Sequence, residues 1–82
     1  DKFHTVKKMG AGEVIETEVA SASIAAEHMI SEVDWPEGCV LVALMRGLHA
    51  IVPGPEDVLH PGDLIYAMVA PKVRRKFLKL VS

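Results

Sequence analysis

Apolar residues along the chain fall into two long runs and one alternating stretch, and these predict the strands of a small sheet. The longest run occupies residues 39–45 and ends at Arg46-Gly47. So short an apolar run, bounded by glycine on both sides, predicts a central strand that is covered on both faces. Residues 64–70 form a second such run and predict the last strand.

Two shorter stretches complete the predicted sheet. Residues 13–20 alternate between apolar and acidic side chains, a period of two that indicates a strand with one solvated face. Residues 49–52 follow the central strand after a glycine, and we expect them to pair antiparallel with it. Carboxylates along the alternating strand are compatible with a metal site, but solvated side chains explain them as well.

The spacing of apolar residues also predicts two helices. Ala26, Met29, Ile30 and Val33 follow the i, i+3, i+4, i+7 pattern of one helix face, and the helix is expected to end before Pro36.

A closing helix begins at Pro71, which suits the first helical position. Its predicted buried stripe consists of Val73, Phe77, Leu80 and Val81. The order β-α-β-β-β-α predicts the α+β class, with a small, mostly antiparallel sheet and two helices packed on it.

The remaining residues set the domain boundaries. Residues 1–12 are polar and basic and contain two glycines, so they are predicted to be a linker or N-terminal arm, with a single domain over residues 13–82. The chain begins with Asp1, and we expect it to be part of a longer protein. No segment reaches the roughly 20 apolar residues that a membrane-spanning helix needs.

Composition narrows the functional class. The chain has 82 residues and a net charge of −2, whereas a dedicated nucleic-acid-binding domain is usually basic. A domain this small buries a limited core, which makes a homodimer plausible. Its single cysteine, Cys39, cannot form an internal disulfide, and it lies in the apolar run as a small buried residue of a reducing compartment would.

No set of residues has the spacing of a catalytic or metal centre, so the sequence predicts a protein that is not an enzyme. The closing helix carries five basic residues between 72 and 79. They fit the solvated face of an amphipathic helix, and the alternative is a surface for nucleic acid or anionic lipid.

An ordered series of short motifs resembles the TrkA C-terminal domain, also called the RCK C-terminal lobe. The resemblance extends from about residue 13 to the end of the chain. Its motifs are Glu-Val-Ile-Glu-Thr-Glu-Val at 13–19, Ser23, Glu-Val-Asp-Trp-Pro at 32–36, Val-Ala-Leu-Met-Arg-Gly at 42–47, Val-Pro at 52–53, Leu-His-Pro-Gly-Asp-Leu-Ile at 59–65 and Phe-Leu-Lys-Leu-Val at 77–81.

The resemblance implies a cytoplasmic regulatory domain of a potassium channel, a potassium uptake system or a related ion transporter. Such domains form homodimers that bind a small ligand in or near the interface. The implied ligand is a nucleotide or a cyclic dinucleotide such as cyclic di-AMP, with no certain cofactor, while divalent cations act on the wider assembly. The alternative is a ligand-free structural module for dimerisation or coupling within a membrane transport protein.

Arg46 and His49 are the candidate ligand-binding residues. Arg46 matches the arginine that closes the central strand in the family, and with His49 it can donate hydrogen bonds to a phosphate. The other interpretation of Arg46 is a structural ion pair with Asp63 or with a glutamate of the first predicted strand. The other interpretation of His49 is that it is a half-exposed strand residue with no role in binding.

Two departures from the family pattern remove positive charge near the implied anion site. Ala26-Glu27 stands where a glycine-lysine pair is usual at the start of the first helix. Residues 36–38 lack the basic residue that cyclic di-AMP-binding members tend to carry after that helix. Both changes disfavour a cyclic dinucleotide as the ligand.

Overall fold

A computed structural model describes residues 3–82, and it contains one five-stranded antiparallel sheet. The strand order across the sheet is β1-β2-β5-β3-β4, so the last strand in sequence lies at the centre. The strands are β1 (Phe3–Met9), β2 (Gly12–Glu18), β3 (Cys39–Arg46), β4 (His49–Ile51) and β5 (Leu64–Val69).

One α-helix, α1 (Arg74–Val81), follows the sheet directly. A 3-10 turn at Pro71–Val73 leads into it, and a second 3-10 turn lies at Ile30–Glu32. No helix in residues 3–82 has the length and apolar character needed to cross a membrane.

The hydrophobic core lies on one face of the sheet, which we call the inner face. Strand side chains on this face meet Phe77 and Val81 of α1 and the irregular segment of residues 19–35. The buried apolar residues are Ile15, Val19, Ala25, Ala26, Val33, Leu44, Leu59, Ile65, Ala67, Val69, Phe77 and Val81.

The predicted order β-α-β-β-β-α with two helices is wrong. Strands β1 and β2 are followed by an irregular segment in place of the first helix, and α1 is the one α-helix among the described residues. The predicted strands over 13–20, 39–45, 49–52 and 64–70 are confirmed in position by β2, β3, β4 and β5.

The missing helix has a physical explanation in its backbone. Glu27 has a φ of +70°, which an α-helix does not allow. Amide groups of the segment bond to distant carbonyls instead of to their own turn: Ala25 N–H donates to Leu80 O at 2.9 Å, and Glu27 N–H donates to Leu59 O at 2.7 Å. The helical spacing therefore predicted two buried residues correctly, Ala26 and Val33, but not the backbone that buries them.

Much of the segment predicted to be a linker or arm is a strand. Phe3–Met9 forms β1, which pairs with β2 in a hairpin. Thr5 Oγ1 donates to Glu13 Oε1 at 2.9 Å, and Arg74 forms an ion pair with the same carboxylate at 3.1 Å. These contacts tie β1 to α1 across the inner face. The boundary between residues 1–12 and 13–82 otherwise stays a prediction, and residues 1–2 lie outside the described residues.

The outer face of the sheet carries no covering element within residues 3–82, so β3 is not covered on both faces as its apolar run predicted. Val40 and Val42 of β3 are 56% and 47% exposed. Across the centre of the outer face the paired residues Val14, Met68 and Val40 form one apolar row.

Candidate functional site

The first candidate residue, Arg46, is the last residue of β3 and is held at a tight hairpin turn. Gly47 and Leu48 connect β3 to β4, and Gly47 has a φ of +60°, which glycine adopts without strain. The turn leaves Leu48 almost fully exposed and places His49 directly opposite Arg46.

The Arg46 guanidinium forms a bidentate ion pair with the Asp63 carboxylate. Its Nε donates to Asp63 Oδ1 at 2.9 Å, and its Nη2 donates to Asp63 Oδ2 at 2.7 Å. The same Nη2 also donates to the Val58 carbonyl at 2.9 Å. Parallel contacts of this kind are strong and fix the plane of the guanidinium, so Arg46 joins the end of β3 to the start of β5.

Asp63 is the buried partner, with only 2% of its surface exposed. Burial by itself would raise the pKa of Asp63, but the hydrogen bond from Arg46, the backbone N–H of His60 and the charge of Arg46 outweigh it, and the pKa is lowered overall. The hydrogen bond to Asp63 likewise raises the pKa of Arg46. Both groups are therefore charged at neutral pH.

The pair leaves Arg46 with limited capacity for a ligand. Its side chain is 41% exposed, and Nη1 has no hydrogen-bond acceptor among the described residues. His49 is exposed, and because directly opposed residues of an antiparallel pair point to the same face, its side chain lies on the same side of the hairpin. The arrangement can offer an anion one guanidinium nitrogen and one imidazole.

The structure thus brings Arg46 and His49 together, and it also contains the structural ion pair that was the other interpretation of Arg46. Asp63 is the partner, and the glutamates of β2 are not. The sequence contained a signal for this pairing, because Asp63 is the one acidic residue next to the apolar run of β5 and would be costly to bury without a positive partner.

A second feature was missed in the sequence: an apolar groove of about 280 Å³ beside β3, which we call the β3 groove. Trp35 and Pro53 line this groove together with the first half of β3. Its lining residues are Ile30, Trp35, Cys39, Val40, Leu41, Pro53, Gly54 and Pro55. The groove depends on how two irregular segments approach β3, which no local pattern in the sequence reports.

The described part of the chain contains no cluster of metal-ligating side chains. Within residues 3–82, no three His, Cys, Asp or Glu side chains are grouped so that they could hold an ion. Cys39 is half-buried, and burial raises the pKa of its thiol, which makes it a poor nucleophile.

Comparison with known proteins places this architecture in a regulatory class. The family model described as the TrkA-C domain matches residues 14–82, more than four-fifths of the chain. The chain therefore belongs to the TrkA-C domain family, whose members are regulatory domains associated with potassium transport. No curated protein matches the chain significantly.

The ion pair gives a prediction for stability against pH. Replacing Arg46→Ala leaves the buried Asp63 carboxylate without its partner, and we expect a loss of about 3 kcal/mol at pH 7, the low end for breaking a buried pair because Arg46 is partly exposed. Since the folded-state pKa of Asp63 is lowered, the pair stabilises the protein above the unfolded pKa of about 3.9, and this contribution is lost as the pH falls below it.

Urea unfolding of both proteins at pH 7 and at pH 3 measures this effect. The difference in unfolding free energy between the wild type and Arg46→Ala should shrink at pH 3. An equal difference at both pH values would mean that Arg46 stabilises the fold by packing alone.

Proposed function

We propose that this chain is a cytoplasmic, small-ligand-sensing dimerisation domain of a potassium channel, a potassium uptake system or a related ion transporter. Membership of the TrkA-C family supports the regulatory role in transport. The ligand is a small anion, such as a nucleotide, and it binds between Arg46 and His49. The domain passes the change on binding to the rest of the membrane transport protein.

The observation that carries the ligand-binding role is the fixed position of Arg46. Asp63 and the Val58 carbonyl hold the guanidinium in one orientation while a substantial part of it stays exposed. A side chain that is already ordered loses little entropy when it binds an anion. His49 on the opposite strand supplies the second donor when protonated.

A homodimer is supported by the outer face of the sheet. Its central positions on β5 and β3 are apolar. In an antiparallel sheet with one face in water, the residues on that face are normally polar. Five strands about 4.8 Å apart and about 20 Å long present roughly 500 Å² in projection, and corrugation brings the accessible area toward the ~800 Å² that each partner contributes to a standard interface. The central outer residues are Val14, Val40, Ala43, Met45, Leu64, Tyr66 and Met68, together with Glu16, which pairs with Tyr66.

A second candidate function, a ligand-free dimerisation or coupling module, is favoured by the same ion pair. Asp63 neutralises the charge of Arg46, and no other lysine or arginine occurs between residues 9 and 71. An anion would therefore meet little positive potential at this site. In this alternative, Arg46 serves only to join β3 to β5.

A thermal-shift series separates the two functions. In the sensing function, ATP, cyclic di-AMP or another nucleotide raises the melting temperature, and a ligand at one hundred times its dissociation constant adds about 2.7 kcal/mol. The variant His49→Ala should melt like the wild type without ligand, because exposed substitutions usually change stability by less than about 0.5 kcal/mol. Its affinity should fall roughly tenfold through loss of one charge-assisted hydrogen bond.

Leu48→Ala, one residue away at the exposed tip of the turn, is the matched control and should keep the wild-type response. If nucleotides, cyclic dinucleotides and divalent cations all leave the wild-type melting temperature unchanged, ligand sensing is refuted and the ligand-free module is favoured.

The dimer is tested by sedimentation velocity of two variants that each add one glutamate. Met68→Glu places a charge between Val14 and Val40 at the centre of the outer face and should convert the dimer to monomer, because a buried unpaired charge costs several kcal/mol. Leu48→Glu adds the same charge at the hairpin tip and should stay dimeric. A wild type that sediments as a monomer, or a Met68→Glu variant that stays dimeric, would contradict an interface on the outer face.

A further inference from the structure

One edge of β3 has no strand partner along its first half. β3 pairs with β5 from Cys39 to Met45, with a bulge after Leu41, but on the other side β4 pairs only with the last three residues of β3, 44–46. In the described part of the chain, residues 39–43 therefore present a free edge on the side away from β5. This edge contains no lysine and no proline, the residues that usually protect an exposed strand edge from pairing.

The direction of the free amide groups follows from the pairing with β5. The Gly38 carbonyl accepts a hydrogen bond from Ala70 N–H at 2.8 Å, so it points toward β5. The N–H of the same peptide unit, which belongs to Cys39, must point the opposite way. Backbone groups alternate along a strand, so the Leu41 N–H also points away from β5, toward the side where the β3 groove lies.

The walls of the β3 groove are held by specific contacts. Trp35 Nε1 donates to the Ile30 carbonyl at 2.9 Å, which orients the indole. On the opposite side, Gly54 N–H donates to Asp57 Oδ2 at 2.6 Å and closes the turn between the two prolines. The Trp35 ring also packs on Phe77 of the core, with ring centroids 5.9 Å apart. The groove is therefore formed before anything binds to it.

Exposed apolar side chains lie along the free edge. Val40 and Val42 are about half exposed, and Val52, just after β4, is 90% exposed. An isolated exposed valine needs no explanation, and of these three Val40 is the one that lines the β3 groove.

Exposed acidic residues adjoin the lining residues of the groove in sequence. Asp34, Glu37 and Glu56 are exposed, each is within two residues of a lining residue, and we call these three residues the acidic rim. Arg46 is the one lysine or arginine between 9 and 71, and Asp63 already neutralises it. The rim therefore attracts cations and repels phosphates.

We propose that the β3 groove docks an extended, basic segment of a partner protein, which adds to the free edge of β3 as a further strand. The backbone of the segment pairs with the amides of Cys39 and Leu41. Its apolar side chains contact Trp35 and Pro53, and its lysines or arginines face the acidic rim. Strand addition of this kind takes affinity from main-chain hydrogen bonds and specificity from the side-chain pockets. The proposal is independent of any ligand at Arg46 and His49.

Three short synthetic peptides test the docking, with the fluorescence of Trp35, the single tryptophan, as the readout. A peptide of alternating lysine and valine should bind and change the emission. A peptide of alternating glutamate and valine should not bind, because the rim repels it. A lysine–valine peptide with a central proline should bind at least tenfold more weakly, because proline lacks the N–H that the strand pairing requires.

Charge reversal on the protein supplies the matched control. The double variant Glu37→Lys/Glu56→Lys should weaken binding of the lysine–valine peptide at least tenfold. Glu18→Lys reverses an exposed charge on β2 and should leave binding unchanged. Equal weakening by Glu18→Lys and by the double variant would show general charge attraction and overturn the proposal.

Amide hydrogen exchange identifies the binding mode. The bound lysine–valine peptide should slow exchange at Cys39 and Leu41 by tenfold or more and leave the amides of β1 unchanged. Binding without protection of these two amides would overturn strand addition. Protection that instead rises with concentration of the domain alone would identify a second copy as the occupant, and it would overturn the proposal too.

Discussion

All the covering structure of this domain lies on one face of its sheet. Helix α1 follows β5 directly, and its last carbonyls, those of Leu80 and Val81, accept hydrogen bonds from Ala25 and Ala20. The helix and the irregular segment after β2 are therefore joined on the same side, over Phe77. With both covering elements on the inner face, nothing in residues 3–82 covers the outer face or completes the edge of β3.

The ion pair between Arg46 and Asp63 fixes the last residue of β3, at the opposite end of the strand from Cys39. It joins β3 to β5 where the hairpin to β4 begins. The backbone N–H of His60 donates a further hydrogen bond to the Asp63 carboxylate. The same ion pair limits the charge and the hydrogen-bond donors that Arg46 can offer to an anion. The two ends of β3 consequently differ: one end carries a neutralised arginine, and the other carries an acidic, apolar groove.

Periodicity and turn residues in the sequence predicted the positions of several strands and the start of the closing helical turn. Runs of apolar residues located β3 and β5, the alternation of Ile15 and Thr17 with glutamates located β2, and Pro71 located the start of the closing helical turn. Apolar positions in the predicted first helix are indeed buried at Ala26 and Val33, but Glu27 and long-range hydrogen bonds give that segment an irregular backbone.

Features that depend on tertiary structure could not be predicted. The polar start of the chain forms β1 because β2 offers an edge and Arg74 reaches across to Glu13, a contact between residues far apart in sequence. Apolar runs in β3 and β5 indicated burial on both faces, yet one face lacks a cover within the described residues. The sequence predicted Arg46 and His49 as ligand-binding residues, which stays a prediction, and it named Asp63 as one partner of Arg46, which the ion pair confirms. The β3 groove had no local signal in the sequence.

Hydrogen exchange at β3 of the isolated domain, followed amide by amide, tests most directly whether this sheet has a free edge. We expect slow exchange at Val40, whose amide points toward β5, and fast exchange at Cys39 and Leu41, whose amides point away from it. Equal protection of all three amides would mean that the edge of β3 is already paired and would contradict a free edge.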